Sequence, residues 1–327
     1  MKTKIAITLG AMALSAMSGA AYAGSITQPG ETIGYALGAP LPEGVYFATT
    51  GSYGSFRNLG DSADALVNIP VIAWSTPWEF FNGRIEAYVA APEVAVGVSH
   101  LPPVIAGGTI VDRGLFINAI YNPALLVGEA WKLDSWGLPG WNYSSWIGGY
   151  APVDNELGQD FWTFNSRTAI TYNGDNWDLT AHVIYGITGD NLAGGLTHNV
   201  KTSPDYVNLD LTATKTFGKW EVGPVAYGSW DVSTISGVAT GGRPYHEQGQ
   251  FALGGLVGYN FTGITVQAYL TRDVWTENYF NPSSVFDCSA TSLNTSGCNK
   301  AYETRFWTRL IIPLWTPPAI EPVTYKK

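Results

Sequence analysis

The chain has 327 residues, of which only 13% are charged and 13% are aromatic, and its formal net charge is −9. A soluble domain usually carries about 25% charged residues, so this composition is poorly suited to a dissolved protein. The lipid-facing surface of a membrane barrel excludes charge and favours aromatic residues. Lysine and arginine occur singly rather than in a basic patch, which argues against a nucleic-acid partner.

The first residues have the three parts of an export signal. Lys2 and Lys4 precede a short apolar stretch, and AYA at 21–23 gives the small-residue pattern that signal peptidase reads. We expect residues 1–23 to be a signal peptide that is cleaved after Ala23. That stretch is too short to span a bilayer, and no later segment is long and apolar enough to be a membrane helix. An exported chain of this kind is periplasmic, secreted or an outer-membrane β-barrel.

Period-two alternation predicts β-strands through the rest of the chain. Apolar and polar residues alternate over 176–186, 206–217, 263–271 and 303–314, which places one set on each face of a sheet. Runs of about 10 to 13 residues suit tilted strands that cross a membrane. Because residues 115–133 are expected to hold one strand, we predict about twelve strands, an even number as in most bacterial barrels. The candidate strands lie near 43–54, 67–76, 83–91, 114–121, 127–134, 141–151, 162–173, 176–187, 205–217, 219–231, 249–260, 263–275 and 302–315.

The connections alternate between short turns and long loops. Short turns lie at 173–175, 217–219 and 260–263. Long loops lie at 188–204, 232–248 and 276–301. Short periplasmic turns and long extracellular loops are typical of outer-membrane barrels. We therefore predict an all-β, transmembrane antiparallel β-barrel over residues 24–315, followed by a C-terminal tail at 316–327.

Two cysteines, Cys288 and Cys298, lie in one polar stretch of the last long loop. In an exported protein such a pair indicates a disulfide that closes the loop. A metal site would need more ligands, and no histidine is near. We expect a Cys288–Cys298 disulfide on the cell exterior. Whether loop 276–301 folds into the pore as a gate stays open.

The sequence contains no arrangement of residues that indicates catalysis. His182 lies on the polar face of its predicted strand, but no serine or carboxylate spacing completes a triad. No metal-binding motif such as HExxH occurs. We therefore expect no catalytic residue, no metal and no cofactor.

Polar-face residues of the predicted strands are the candidates to line a pore. They either set conductance and selectivity or form internal ion pairs that fill the barrel, and the sequence does not decide between these roles. Two tyrosines and one tryptophan among them could contact an aromatic solute. The candidates are Arg84, Glu86, Arg167, Asp178, His182, Asp210, Glu221, Tyr227, Tyr269, Arg305, Trp307 and Arg309.

Four segments in order resemble one bacterial family. They are LPEGVYFATTGSYGSFRNL at 41–59, TATKTFGKWEVGPVAYGSWDVS at 212–233, FALGGLVGYNFTGITVQAYLTRDVWTEN at 251–278 and FWTRLIIPLW at 306–315. The chain resembles the putative MetA-pathway of phenol degradation proteins, whose members are often named transporters. The resemblance implies an outer-membrane barrel related to channels for hydrophobic or aromatic compounds. One departure is the proline-containing tail, which follows Trp315 where many barrels end on an aromatic residue.

These patterns predict an outer-membrane channel for passive passage of small hydrophobic or aromatic molecules. No ATP motif and no energy-coupling plug domain is visible in the sequence, so transport would be down-gradient. The expected partners are outer-membrane lipid and a small solute, and the oligomeric state is left open. One alternative is a structural or adhesive barrel with a plugged lumen, and another is an outer-membrane hydrolase. An open lumen would favour the channel, whereas a lumen filled with large side chains would favour the scaffold.

Overall fold

The computed structural model describes residues 25–58, 61–106, 109–279, 291–294, 298 and 300–318. These residues form fourteen strand segments of one antiparallel sheet. In chain order the segments are β1 (Gly44–Asn58), β2 (Asp61–Phe80), β3 (Gly83–Ala90), β4 (Glu93–Ala106), β5 (Thr109–Ile120), β6 (Ala124–Lys132), β7 (Trp141–Tyr150), β8 (Thr163–Gly174), β9 (Trp177–Thr188), β10 (Tyr206–Phe217), β11 (Trp220–Asp231), β12 (Gly249–Asn260), β13 (Thr265–Glu277) and β14 (Glu303–Trp315).

The sheet closes into a barrel because β1 is hydrogen-bonded to both β2 and β14. The fourteen segments form a barrel of twelve strand positions. β3 and β4 lie end to end beside β2, and β6 and β5 lie end to end beside β3 and β4, so each pair counts as one position. The prediction of an all-β antiparallel barrel of about twelve strands is confirmed. Residues 115–133 were expected to hold one strand but contain parts of two, β5 and β6, which together occupy one position of the barrel.

The wall is interrupted at two neighbouring points. Ala91 and Pro92 separate β3 from β4, and residues 121–123 separate β5 from β6. The three residues between β5 and β6 oppose the two residues between β3 and β4, so the pairing register shifts by one residue. Tyr121 donates its backbone N–H to the Pro92 carbonyl at 2.7 Å. Proline cannot donate to a sheet ladder, which explains breaks at Pro92 and Pro123. Beyond the break β5 pairs only with β4 among the described strands.

The barrel has a short-turn end and a long-loop end. At the short-turn end two residues join β8 to β9, and both Asp175 and Asn176 have positive φ, as a type I′ hairpin requires. At the other end residues 189–205, 232–248 and 278–302 connect the strands. The predicted alternation of short and long connections is confirmed. It fails where two residues join β1 to β2 and β4 to β5 at the long-loop end, and where eight residues with a short 3-10 helix, Asp134–Trp136, join β6 to β7 at the short-turn end.

The barrel is apolar outside and polar inside. In β9 the side chains of Leu179 and Val183 are exposed, whereas those of Thr180 and His182 are buried. Successive side chains of a strand point to opposite faces, so this alternation sends apolar groups outward. An apolar outer band is what a barrel in lipid requires. In the described part of the chain no helix is long and apolar enough to cross a membrane.

Candidate functional site

The chain segment before β1 lies inside the barrel. Residues 25–43 run from the long-loop end, where Ser25 contacts Asn208 of β10, to the short-turn end, where Leu41 contacts Glu86 of β3. Most of the first nine residues are buried, and Ile33 has no exposed surface. We call residues 25–43 the plug, since they fill the interior that the twelve strands enclose.

Asp210 of β10 is the central attachment point of the plug. Its carboxylate accepts hydrogen bonds from the backbone N–H of Gly30 at 2.9 Å and from that of Thr32 at 3.0 Å. It also accepts from the Thr32 hydroxyl at 2.5 Å. The glycine has a φ of +84°, which other residues rarely adopt, and a Cβ there would meet the Tyr227 ring at 2.7 Å. One carboxylate therefore fixes a tight bend of the plug against the wall.

Two arginines hold the same bend from other sides of the lumen. The guanidinium of Arg309 donates to the backbone carbonyls of Glu31 and Ile33 and lies 3.8 Å from the centre of the Tyr35 ring. Arg167 forms an ion pair with the Glu31 carboxylate at 3.0 Å. Burial raises the pKa of Glu31 above its ordinary value, although the positive charge of Arg167 opposes this rise. Planar guanidinium groups suit such multiple contacts.

The tip of the plug is bound by uncharged groups near the long-loop end. The Thr27 hydroxyl lies 3.0 Å from the Tyr150 hydroxyl and 2.9 Å from the Tyr206 hydroxyl. Asn208 donates its side-chain amide to Ser25 Oγ at 2.9 Å and to the Thr27 carbonyl at 3.1 Å. Both polar groups of this residue are used, because Asn208 Oδ1 accepts from Ser229.

The rest of the plug has fewer contacts with the wall. Gly38 donates its backbone N–H to the Thr171 hydroxyl at 2.9 Å, and Leu41 donates its backbone N–H to Glu86 at 2.7 Å. Residues between 34 and 43 are mostly half-buried, and Leu41 is exposed. The plug is therefore anchored most firmly in its first half.

Two apolar clusters border the plug. One surrounds Ile33 and includes Tyr269 and Trp307, whose rings stack with centroids 5.1 Å apart. The other surrounds Ile26 at the tip and lies where the wall is interrupted. Its further members are Val67, Ile69, Ala90, Ala124, Leu126, Trp146, Tyr150, Phe161, Ile184 and Tyr206.

The twelve residues predicted to line the lumen all lie on the inner face. Hydrogen bonds join six of them to the plug, namely Glu86, Arg167, His182, Asp210, Tyr269 and Arg309. Tyr227 and Trp307 pack around Ile33. The other four bind wall side chains: Arg305 pairs with Glu303, Arg84 with Glu79, and Asp178 and Glu221 accept from Thr180 and Thr214.

The plug itself was missed by the sequence interpretation, which found no plug domain of the energy-coupling type. A faint signal was present, since residues 25–43 lack period-two alternation and contain Gly30, Gly34 and Gly38 together with three prolines. Such a stretch predicts turns but not where they dock.

Three further predictions fall on residues outside the described part of the chain. They are the signal peptide at 1–23, the end of the tail and Cys288, so the Cys288–Cys298 disulfide stays a prediction. The expectation of no metal site is likewise untested. Within the described residues, no group of three or more histidine, cysteine, aspartate or glutamate side chains is placed to hold an ion.

Comparison with known proteins identifies a family and several similar folds. A family model described as Putative MetA-pathway of phenol degradation matches residues 46–285. No curated protein matches the chain. Among solved structures, a FadL homologue of Pseudomonas aeruginosa is 9% identical, with 88% of this chain and 99% of that chain covered and a TM-score of 0.42.

Two further solved structures are similar at the same level. The toluene transporter TodX of Pseudomonas putida is 10% identical, with 89% of this chain and 96% of that chain covered and a TM-score of 0.40. The CymD monoaromatic hydrocarbon channel is 10% identical, with 83% and 88% covered and a TM-score of 0.39. Similarity this low carries no information on what passes through the present barrel.

Proposed function

This chain belongs to the putative MetA-pathway of phenol degradation family, and from that premise we propose that it is an outer-membrane channel for small hydrophobic or aromatic molecules. In the conformation described, the plug closes the lumen. Passage is passive and requires the plug to leave the binding site that it occupies in the lumen. The apolar outer face and the predicted export signal support the location in the outer membrane.

This proposal rests on the observation that a separate segment of the chain, rather than the side chains of the wall alone, occupies the lumen. Small eight-stranded barrels are filled by their own wall side chains, and larger barrels leave room for a ligand or a channel. Here the room left by twelve strands is occupied by residues 25–43, which continue into the wall at Gly44. Noncovalent contacts hold the rest, so the segment can move without opening a wall ladder.

The apolar cluster around Ile26 is the surface that we assign to a hydrophobic solute. It contains Trp146, Tyr150 and Phe161 and lies at the long-loop end of the lumen, beside the plug tip. Withdrawal of Ile26 with the plug tip would leave these aromatic rings facing the passage. Four charged residues of the inner face, namely Glu86, Arg167, Asp210 and Arg309, hold the plug, and they face a solute only after its release.

The hydrolase alternative conflicts with the hydrogen bonds of His182. Thr32 Oγ1 lies 2.8 Å from His182 Nδ1, but it donates its proton to Asp210. In a catalytic triad the acid orients the histidine, which removes the proton of the nucleophile. Here Asp210 accepts the hydrogen bond of the Thr32 hydroxyl itself, so the three groups do not follow one another as acid, histidine and nucleophile. We propose that the chain is not an enzyme.

The scaffold alternative is favoured by one observation, the filled lumen, and a cross-link separates it from the channel. Ser25→Cys combined with Asn208→Cys places two thiols where a hydrogen bond of 2.9 Å now joins the side chains. We expect liposomes that contain the wild-type protein to take up toluene and phenol faster than protein-free liposomes do. The cross-linked variant should give the protein-free rate, and reduction should restore the faster uptake.

The controls are the two single-cysteine variants and reduced wild-type protein, because reduction also reaches the predicted Cys288–Cys298 bond. Failure of the folded wild-type protein to pass either solute would contradict the channel and leave the scaffold. Uptake that is unaffected by the cross-link would show that solutes do not need the plug to move.

A further inference from the structure

A row of four uncharged polar side chains crosses the inner face near the long-loop end. It consists of Asn208 on β10, Ser229 on β11, Gln250 on β12 and Thr276 on β13. Each residue lies directly opposite the next in the ladder pairing, so adjacent Cβ atoms are about 4.5 to 5.5 Å apart. None of the four has exposed surface. We call this set the polar row.

Half of the polar row is occupied by the plug tip, which shows what this row binds. Asn208 donates to a hydroxyl oxygen, that of Ser25, and to a carbonyl oxygen, that of Thr27. The Ser229 hydroxyl donates to Asn208 Oδ1 at 2.7 Å and so fixes the orientation of the amide. The chemistry recognised is that of neutral oxygen groups.

The other half of the polar row has the same chemistry but is unpaired. Both terminal atoms of the Gln250 amide and the hydroxyl oxygen of Thr276 are buried and have no hydrogen-bond partner in the described part of the chain. Buried polar groups are nearly always paired, since an unpaired one has lost its water without compensation. Gln250 and Thr276 lie opposite each other on neighbouring strands, so together they offer both donors and acceptors to one bound group.

The surroundings of the polar row select against negative charge. Asp231 lies two residues beyond Ser229 on β11, and Asp273 lies below Thr276 on β13; both are buried and each has one unpaired carboxylate oxygen. Lys300 donates its ammonium group to the Thr276 backbone carbonyl at 2.8 Å, so two carboxyl groups and one cation border the row. The excess of carboxyl groups disfavours an anion there, whereas a hydroxyl group could donate to either of them. Toward the short-turn end the row is bordered by the Tyr227 ring and by Ala252, which offer apolar surface.

We propose that Gln250 and Thr276 bind the hydroxyl group of a neutral solute in the passage that opens when the plug tip withdraws. This inference rests on the proposed channel function and deepens it. The two residues give the lumen a preference for hydroxylated compounds over hydrocarbons of the same size and over carboxylates.

Equilibrium binding to the refolded full chain in detergent tests this proposal, with phenol, toluene and benzoate as probes. Titration calorimetry on Gln250→Leu and on the more conservative Thr276→Val should show phenol binding weakened about three- to tenfold by each change, as for one neutral hydrogen bond. Toluene binding should be unchanged, and benzoate should not compete with phenol.

Thr163→Val is the matched control. It removes another buried hydroxyl without a partner, on β8 and away from the polar row, so phenol binding should stay at the wild-type value. Folding of each variant is checked by its mobility on gels before and after boiling.

Phenol binding that is equal in wild type and both variants would overturn the proposal and leave the row as a site for water only. Equal losses for phenol and toluene would also overturn it, since a packing effect is not hydroxyl recognition. The liposome experiment is independent of this one. A chain that passes aromatic solutes without using Gln250 disproves only the present inference, and one that binds phenol through Gln250 but passes nothing disproves only the channel.

Discussion

The two halves of the plug are attached to the barrel in different ways. Residues 25–33 contact an aspartate, two arginines and three tyrosines of the wall and are almost fully buried. Residues 34–43 continue into β1, yet they are mostly half-buried and have fewer polar contacts. The first half of the plug is thus the anchor, and the second half, which continues into β1, is the tether. Release of the plug then depends on the contacts of its first half.

Asp210→Ala should weaken the attachment of the first half of the plug more than any other change considered. It leaves the backbone N–H groups of Gly30 and Thr32 without their acceptor, which destabilises the seated plug by about 3 kcal/mol or more. The population of open channels should rise about a hundredfold, measured as open probability in planar bilayers. Asp178→Ala is the control, since Asp178 is also on the inner face but accepts from Thr180. Equal effects of the two changes would contradict the assignment of Asp210 as the anchor.

Arg309→Gln should have a smaller effect in the same direction. The change removes the donors to the carbonyls of Glu31 and Ile33 and the contact with the Tyr35 ring, but Asp210 still holds the bend. We expect a loss of about 2 kcal/mol and an open probability about thirtyfold higher. Arg84→Gln, which affects an ion pair near the short-turn end, should leave the value unchanged. An unaltered current from Arg309→Gln would show that the arginine stiffens the wall only.

Glu86→Ala should have the smallest effect, because it affects the tether. The change removes the acceptor for the backbone N–H of Leu41, whose neighbourhood is exposed enough for water to replace it. We expect a change in open probability of less than about fivefold, equivalent to one modest hydrogen bond. Glu86→Gln keeps an acceptor and should match the wild-type protein. A large effect of Glu86→Ala would reverse the comparison and make the second half the anchor.

The strands could be predicted from sequence because each has one face toward lipid and one toward the lumen. Residues 176–187, 205–217 and 249–260 were predicted as strands, and β9, β10 and β12 lie within one residue of those bounds. The same alternation placed His182 and Asp210 on the inner face. Period two is a local property of the chain, so a single sequence suffices to detect it.

The plug and the wall breaks could not be predicted in the same way. Gly30 and Thr32 bind Asp210, and Thr27 binds Tyr206, across more than 170 residues of chain. No local pattern encodes such partners. The prediction near 67–76 was likewise too short for β2, which runs from Asp61 to Phe80 and changes partner from β4 to β3 along its length.

The position of the plug has a consequence for the order of assembly. Its seat includes Asp210 of β10, Tyr269 of β13 and Arg309 of β14, so the seat does not exist until the last strand has been added. Contacts between such distant parts of a chain form slowly, because the intervening segment must first be ordered. We therefore expect the residues that immediately precede the first strand to be among the last to reach their final place, so that a nascent barrel passes through an unplugged stage.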